Sequence, residues 1–352
     1  MAKRRGKKKQ SRWLFVVLLL AIIAVGGYYV AENPELLKEK PEIIPEDKRL
    51  QIVDESSKSR PIAVMINNNH EAWPQAGLQD AYITYEILAE GGITRMMAIF
   101  KDQNTTKIGS VRSARPYFLD YAMENDAIYV HYGWSDQAKA DITNLDIDNI
   151  NGLTASSVFW RDKSLHKATE HTVFTSMDRI KKYAEDQGYD RDTNKDLLLN
   201  YSVDEVNLKK NEDAIKADNV YMKYSYYTDT SYEYDPENKV YLRSMSGEPH
   251  VDAVTKKQYT YKNIIITPIE AKPYDSYGRL KLDNIGSGDG YYITDGYAIP
   301  IKWRKSSRNS QTVYTDLNGN EIKVNDGNTF IQITPPGEDI EITGNSDEVE
   351  AE

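Results

Sequence analysis

The stretch from Glu86 to Arg115, EILAEGGITRMMAIFKDQNTTKIGSVRSAR, sets two glutamates, a Gly-Gly pair and three arginines among segments that read as buried core. Met96-Met97-Ala98-Ile99-Phe100 is apolar enough to be interior, and a charge beside such a strand is costly unless it is paired or functional. Any fold of this chain must therefore neutralise Glu86, Glu90, Arg95, Arg112 and Arg115 internally or open them to one cleft.

The N-terminus sets where that fold sits. Seven lysines and arginines among the first twelve residues precede Trp13 to Val30, eighteen residues without a charge, long enough to span a bilayer. No clean small-x-small cleavage site follows, so residues 13–30 are expected to stay as a transmembrane anchor. The positive-inside rule then makes residues 1–12 cytoplasmic and the rest of this single-pass chain extracellular. The whole chain sums to −10, and setting aside the seven basic residues leaves −17 beyond them. An acidic exterior argues against nucleic acid as a partner. Cysteine is absent, which excludes disulfides, thiolate metal sites, cysteine nucleophiles and lipid attachment at an N-terminal cysteine.

Residues 31–59 are rich in Pro, Glu and Lys with little periodicity and read as an extracytoplasmic linker. From 60 to 200, the apolar runs Ile62–Ile66, Met96–Phe100 and Ala127–His131 interleave with helical patterns at Tyr117–Asn125, after Pro116, and Ser176–Gln187, before Gly188. Asp80–Ala89 reads as strand from the alternation of Ala81, Ile83, Tyr85 and Ile87, although Leu88 breaks it. This predicts an α/β or α+β N-terminal domain. Past a charged connector, residues 221–336 change texture, with six tyrosines from Tyr224 to Tyr241 among Thr, Ser and Asp, and predict a mainly β C-terminal domain. Asp316–Glu321 lacks the ligand spacing of a calcium loop and reads as a hairpin turn. Residues 337–352 are acidic, lack aromatics and read as a disordered tail.

Glu86 and Glu90 share a face on a helix or on a strand. Two carboxylates in unlike environments can divide into acid and base for glycan cleavage; equally, each can pair with Arg95, Arg112 or Arg115. Gly91-Gly92 before Ile93-Thr94-Arg95 offers a turn with free N–H groups for an oxyanion or sugar hydroxyls, but neither the lysine nor the third glycine of a phosphate loop is present. Gly109–Pro116 brings Ser110, Arg112, Ser113 and Arg115 ahead of a helix start, a combination suited to an anionic group. His131-Tyr132-Gly133-Trp134-Ser135 emerges at a strand end, where α/β folds place ligands. His131 is there a candidate catalytic group, Trp134 a stacking ring and Ser135 a contact. A serine triad lacks its elbow motif, and the histidines lack metal-ligand spacing, so neither metal nor cofactor is expected.

Four blocks, RPIAVMINN from Arg60, Glu86–Arg95, GSVRSARP from Gly109 and HYGWS from His131, resemble the YerB-like family of Gram-positive envelope proteins. Pro300-Ile301-Lys302-Trp303, Asp316–Gly319 and Gly327–Pro335 are similar to that family's C-terminal half. The resemblance covers nearly everything after residue 60. It implies a two-domain envelope protein of unknown function, frequently a lipoprotein; with no cysteine to carry lipid, anchoring falls here to residues 13–30. Location, charge and the Glu–Arg cluster together predict a membrane-anchored protein that binds peptidoglycan or a related envelope glycan, and cleaves it if Glu86 or Glu90 serves as acid. The alternatives are a scaffold that docks other envelope proteins through the tyrosine-rich domain, and a sensor of a small anionic ligand.

Overall fold

Short apolar, β-branched segments of the first half form strands. In the computed structural model, which describes residues 49–345, these are β1 (Ile62–Asn67), β2 (Ile83–Leu88), β3 (Thr94–Phe100), β4 (Ile128–His131) and β5 (Asn149–Asn151). β3 runs antiparallel to both β1 and β2, while β1, β4 and β5 pair in parallel. Three helices accompany them: α1 (Pro116–Glu124), α2 (Asp136–Asn144) and α3 (Met177–Gln187). Pro116 opens α1 where no N–H is missed, and Gly188, at φ 70°, ends α3 in the left-handed region.

The second half supplies β6 (Asn219–Lys223), β7 (Asp229–Asp235), β8 (Val240–Met245), β9 (Asn263–Pro268), β10 (Gly286–Thr294), β11 (Tyr297–Lys305), β12 (Thr329–Thr334) and β13 (Ile340–Thr343). β12 inserts between β9 and β2, parallel to both. The two sequence regions thereby share one 11-stranded sheet, ordered Ile215–Lys216, β11, β10, β9, β12, β2, β3, β1, β4, β5, with Val313–Thr315 alongside β11. β8, β7, β6 and β13 form a second, antiparallel sheet.

Strand alternation divides the core into two layers. β1 sends Ala63 and Met65 toward Phe118, Tyr121 and Ala122 of α1. Ile62, Val64 and Ile66 pack with Val220, Met222, Tyr232 and Tyr241 of the second sheet and Ile180 and Ala184 of α3. Burial on both faces explains why β1 and β3 read as continuous apolar runs.

At both ends the fold takes in residues that composition assigns to flexible segments. Leu50 and Val53 are buried, and the Ile52 N–H donates to Asp326 at 3.0 Å, so the folded body includes residues placed in the 31–59 linker. Ile340 and Ile342 alternate with Glu341 and Thr343, and this periodicity makes β13, paired with β6, within the stretch read as a tail. Asp316–Glu321 is a hairpin turn, its Asp316 carboxylate accepting from the N–H groups of Asn318 and Asn320 at 2.9 Å each. Among the described residues no helix is long and apolar enough to cross a membrane; the 1–12 and 13–30 segments lie outside those residues.

Glu86 on β2 faces the second sheet and meets Arg243 of β8, Nη2 to Oε2 2.6 Å, with both side chains wholly buried. Thr94 Oγ1 and Asn68 Nδ2 donate to Oε1 at 2.6 and 2.9 Å. Arg243 also donates to Thr230 Oγ1 at 3.2 Å, to Tyr232 OH at 3.3 Å and to His250 Nδ1 at 2.5 Å. Removing one member leaves a desolvated charge unpaired, so Glu86→Ala is expected to lower the unfolding free energy by about 3–5 kcal/mol. Urea denaturation measures it; a loss under about 0.5 kcal/mol, usual for exposed positions, would show that the pair does not join the sheets.

Candidate functional site

Alternation along β2 and β3 separates residues that sequence spacing groups together. Glu86 and Thr94 face the second sheet and are taken up by the Arg243 cluster. Arg95, one residue on, lies on the opposite face with the α1 layer. Its Nη1 donates to the Ser113 carbonyl at 2.7 Å, and its Nη2 stands 4.0 Å from Glu90 Oε2. The partner of Glu86 is thus none of Arg95, Arg112 or Arg115 but Arg243, 157 positions away.

Glu90 begins a turn completed by Gly91 and Gly92, both in the left-handed region at φ 73° and 77°. Arg115 grips it with a planar fork, Nε to Oε1 at 2.5 Å and Nη2 to Oε2 at 3.0 Å. Burial pushes the Glu90 carboxyl up, but the hydrogen bond and charge of Arg115, helped by Arg95, outweigh it and hold the group below its ordinary 4.5. Burial and the neighbouring Arg115 draw Arg95 down to about 10, which leaves it charged at neutral pH.

The segment carrying Ser110, Arg112, Ser113 and Arg115 threads across the carboxyl ends of β1 and β4. The Asn67 N–H donates to the Ser110 carbonyl at 2.8 Å and the Arg112 N–H to the Met65 carbonyl at 3.0 Å; Arg112 and Gly133 carbonyls accept from Tyr132 and Ala114 at 3.0 and 2.9 Å. The segment is thus pinned at the carboxyl ends of two parallel strands, the end at which α/β sheets place ligands. Arg112 is half-buried and, among the described residues, makes no side-chain hydrogen bond or ion pair. Its charged neighbours are Glu170, Arg115 and Glu90, and burial lowers its pKa. Ser110 is wholly buried, with no hydrogen-bond partner for Oγ among the described residues. Ser113 Oγ donates to the Tyr132 carbonyl at 3.0 Å.

The HYGWS residues support this segment. His131 is wholly buried, Nδ1 2.8 Å from the Gly133 carbonyl and Nε2 3.1 Å from Asn149 Oδ1, and burial lowers its pKa. It braces the loop through both ring nitrogens. Ser135 Oγ caps α2 by accepting from the Ala138 N–H at 3.2 Å. Trp134 rests against the core, with Lys139 Nζ 5.5 Å from its ring centroid. Sequence reasoning missed the hairpin between β6 and β7, whose Ser225 Oγ and Thr228 Oγ1 donate to the Gly92 carbonyl at 2.5 and 3.0 Å. The signal present in the sequence was Tyr226-Tyr227 at a turn, where small or Asx residues are the rule.

The cluster thus holds three guanidinium groups against Glu90 and the exposed Glu170, in a chain that is acidic overall. Such an arrangement can hold an anion. Among the described residues no group of three or more His, Asp and Glu is placed to hold a metal.

Two family models match the chain: the N-terminal domain of a protein of unknown function (DUF3048), over residues 50–190, and its C-terminal domain, over residues 215–331. The chain is 34% identical over 291 residues to a Bacillus subtilis (strain 168) protein named "Putative lipoprotein YerB", spanning 79% of this chain and 82% of that protein. It is also similar to the crystal structure of YerB protein from Bacillus subtilis, at 32% identity and a TM-score of 0.72, over 83% of this chain and 99% of that one.

Because the folded-state pKa of Glu90 is depressed, its stabilising share is present above the unfolded value and is lost as pH falls through the folded one. Glu90→Gln removes that share. The stability difference between the native chain and Glu90→Gln, from urea titrations between about pH 7 and about pH 3, is therefore expected to shrink with acidification; a difference constant across that range would mean that Arg115 does not hold the carboxylate.

Proposed function

The chain belongs to the DUF3048 family through both of its domains, and from that premise we propose a membrane-anchored envelope protein that binds an anionic envelope ligand at Arg112, Arg115 and Arg95. The lipoprotein name of the Bacillus subtilis relative supports the location. With no cysteine in this chain, residues 13–30 supply the anchor.

One observation carries the binding reading: the half-buried Arg112 guanidinium makes no side-chain hydrogen bond or ion pair among the described residues, its carboxylate neighbours Glu170 and Glu90 acting on it only at longer range. A partly desolvated cation is destabilising unless something satisfies it, and a carboxylate or phosphate matches its planar fork. The reading stops short of cleavage. Glycoside cleavage needs a carboxyl group that donates a proton, whereas Glu90 is held ionised by Arg115 and Glu86 is sealed against Arg243. The ligand class is therefore a wall polymer bearing carboxylates or phosphodiesters.

The test is co-sedimentation of the full-length chain, in detergent micelles, with purified sacculi before and after their phosphodiester polymers are stripped. Binding is expected at low salt and to weaken as salt screens the contacts. Arg112→Ala is expected to weaken it about tenfold, the loss of one charge-assisted hydrogen bond of about 1.5 kcal/mol. Stability should change by less than about 0.5 kcal/mol, because Arg112 supports nothing else. Retention of Arg112→Ala at the native level would exclude this site.

A further inference from the structure

A second element borders the Glu90–Gly92 turn. The hairpin joining β6 to β7 carries Tyr226 and Tyr227 at its tip, 90% and 63% exposed, with ring centroids 5.2 Å apart and ring planes crossed at 88°. The tip is held, not free. Ser225 and Thr228 hydroxyls both donate to the Gly92 carbonyl, the Tyr227 N–H donates to Ser225 Oγ at 2.9 Å, and the Tyr224 N–H donates to the Thr228 carbonyl at 2.9 Å. Contact is close enough that a Cβ added at Gly92 would lie 3.1 Å from both Ser225 Oγ and Tyr227 Cδ2. Two residues before Gly92 stands Glu90, in the fork of Arg115.

Nothing in the fold requires tyrosine at these positions. Tight turns favour Gly, Asn and Asp, and two large rings left in water forgo the burial that stabilises aromatic side chains elsewhere. Tyrosine does suit a recognition surface, since it offers a rigid face at the cost of only two torsions. The rings stand among Ser225, Thr228 and Asp229, so they do not form the contiguous apolar patch that a protein interface buries at its centre. A sugar ring matches this mixture: its C–H face lies against the negative face of an aromatic ring while its hydroxyls meet the polar rim.

We infer that Tyr226 and Tyr227 are a stacking platform, and that the ligand of the arginine site is an acidic saccharide whose ring rests on the tyrosines while its carboxylate or phosphate meets Arg112 and Arg115. This rests on the anion-binding reading above and names the substrate class for the same site.

Calorimetric titration of the full-length chain in micelles tests it, with three probes: an N-acetylglucosamine–N-acetylmuramic acid oligosaccharide, a neutral N-acetylglucosamine oligosaccharide of equal length, and inorganic phosphate. The native chain should bind the acidic oligosaccharide most tightly. Tyr226→Ala with Tyr227→Ala should weaken it about tenfold while leaving phosphate within about twofold, and the corresponding Phe pair, which keeps both faces, should restore it. Arg112→Ala should weaken both acidic probes. If the Ala pair binds the acidic oligosaccharide as the native chain does while Arg112→Ala does not, the platform is overturned and the anion site stands. Binding of phosphate without any saccharide, or loss of an envelope protein from the Ala pair with saccharide binding intact, overturns it equally. Failure of the native chain to bind either acidic probe overturns the anion reading and the platform together.

Discussion

The buried ion pair between Glu86 and Arg243 is the constraint on which the two sheets depend. It lies between them, one member on the shared sheet and the other on the second, and its neighbours close a ring of hydrogen bonds. Arg243 donates to His250 Nδ1, which requires the proton on Nε2, and Nε2 lies 2.9 Å from Gln75 Oε1. Gln75 Nε2 donates to Asn68 Oδ1 at 2.8 Å, and Asn68 Nδ2 returns to Glu86. Burial, reinforced by Arg243, pushes the His250 pKa well below 6.5, so the ring stays neutral as this tautomer demands. Apolar burial supplies the bulk of the stability. What the ring supplies is register, since a charged pair satisfied at every atom tolerates no slip of one sheet over the other.

That ring also reaches the segment bearing Arg112. Asn68 follows β1 directly and accepts from Trp73 Nε1 at 3.0 Å, and its bond to Glu86, the partner of Arg243, ties the loop leaving β1 to the second sheet. On the same strand end, Asn67 Nδ2 lies 2.9 Å from His171 Nδ1, and its N–H holds the Ser110 carbonyl. The segment bearing Arg112 is therefore fixed from below by β1 and β4 and from the side by residues that the ion-pair network immobilises. Preorganisation of this kind spares the backbone of that segment an ordering cost at the moment of contact.

Local patterning made much of the fold legible, and long-range pairing hid the rest. The alternation of Ile83, Tyr85 and Ile87 marked β2, Pro116 and Gly188 marked helix ends, and the YerB-like blocks marked the family. Alternation also contained the separation of Glu86 from Arg95, because residues an odd number apart on paired strands take faces that only the register fixes. The register Ile87 opposite Arg95, and with it Glu86 opposite Met96, is visible in the structure alone. Likewise nothing in the local sequence of β12, a strand buried on both faces, says which neighbours it pairs with. The identity of Arg243 as partner lay beyond any local reading for the same reason.

The remaining tension is electrostatic. A chain with a formal charge of −10 repels anions at long range, yet the strand ends collect Arg95, Arg112 and Arg115 around Glu90 and the exposed Glu170. At physiological ionic strength charges are screened beyond roughly 8 Å, so neither the repulsion nor the local attraction extends far from the surface. Steering cannot select the ligand; contact must. Glu90 sharpens this, because by occupying the fork of Arg115 it cancels one positive charge, while the Arg112 guanidinium makes no hydrogen bond or ion pair among the described residues. One such group, partly exposed, contributes too little to hold a small anion tightly against its hydration. A ligand recognised here has to add contact area beyond its charge, and the surface that adjoins the Glu90 turn offers it in the form of two exposed aromatic faces.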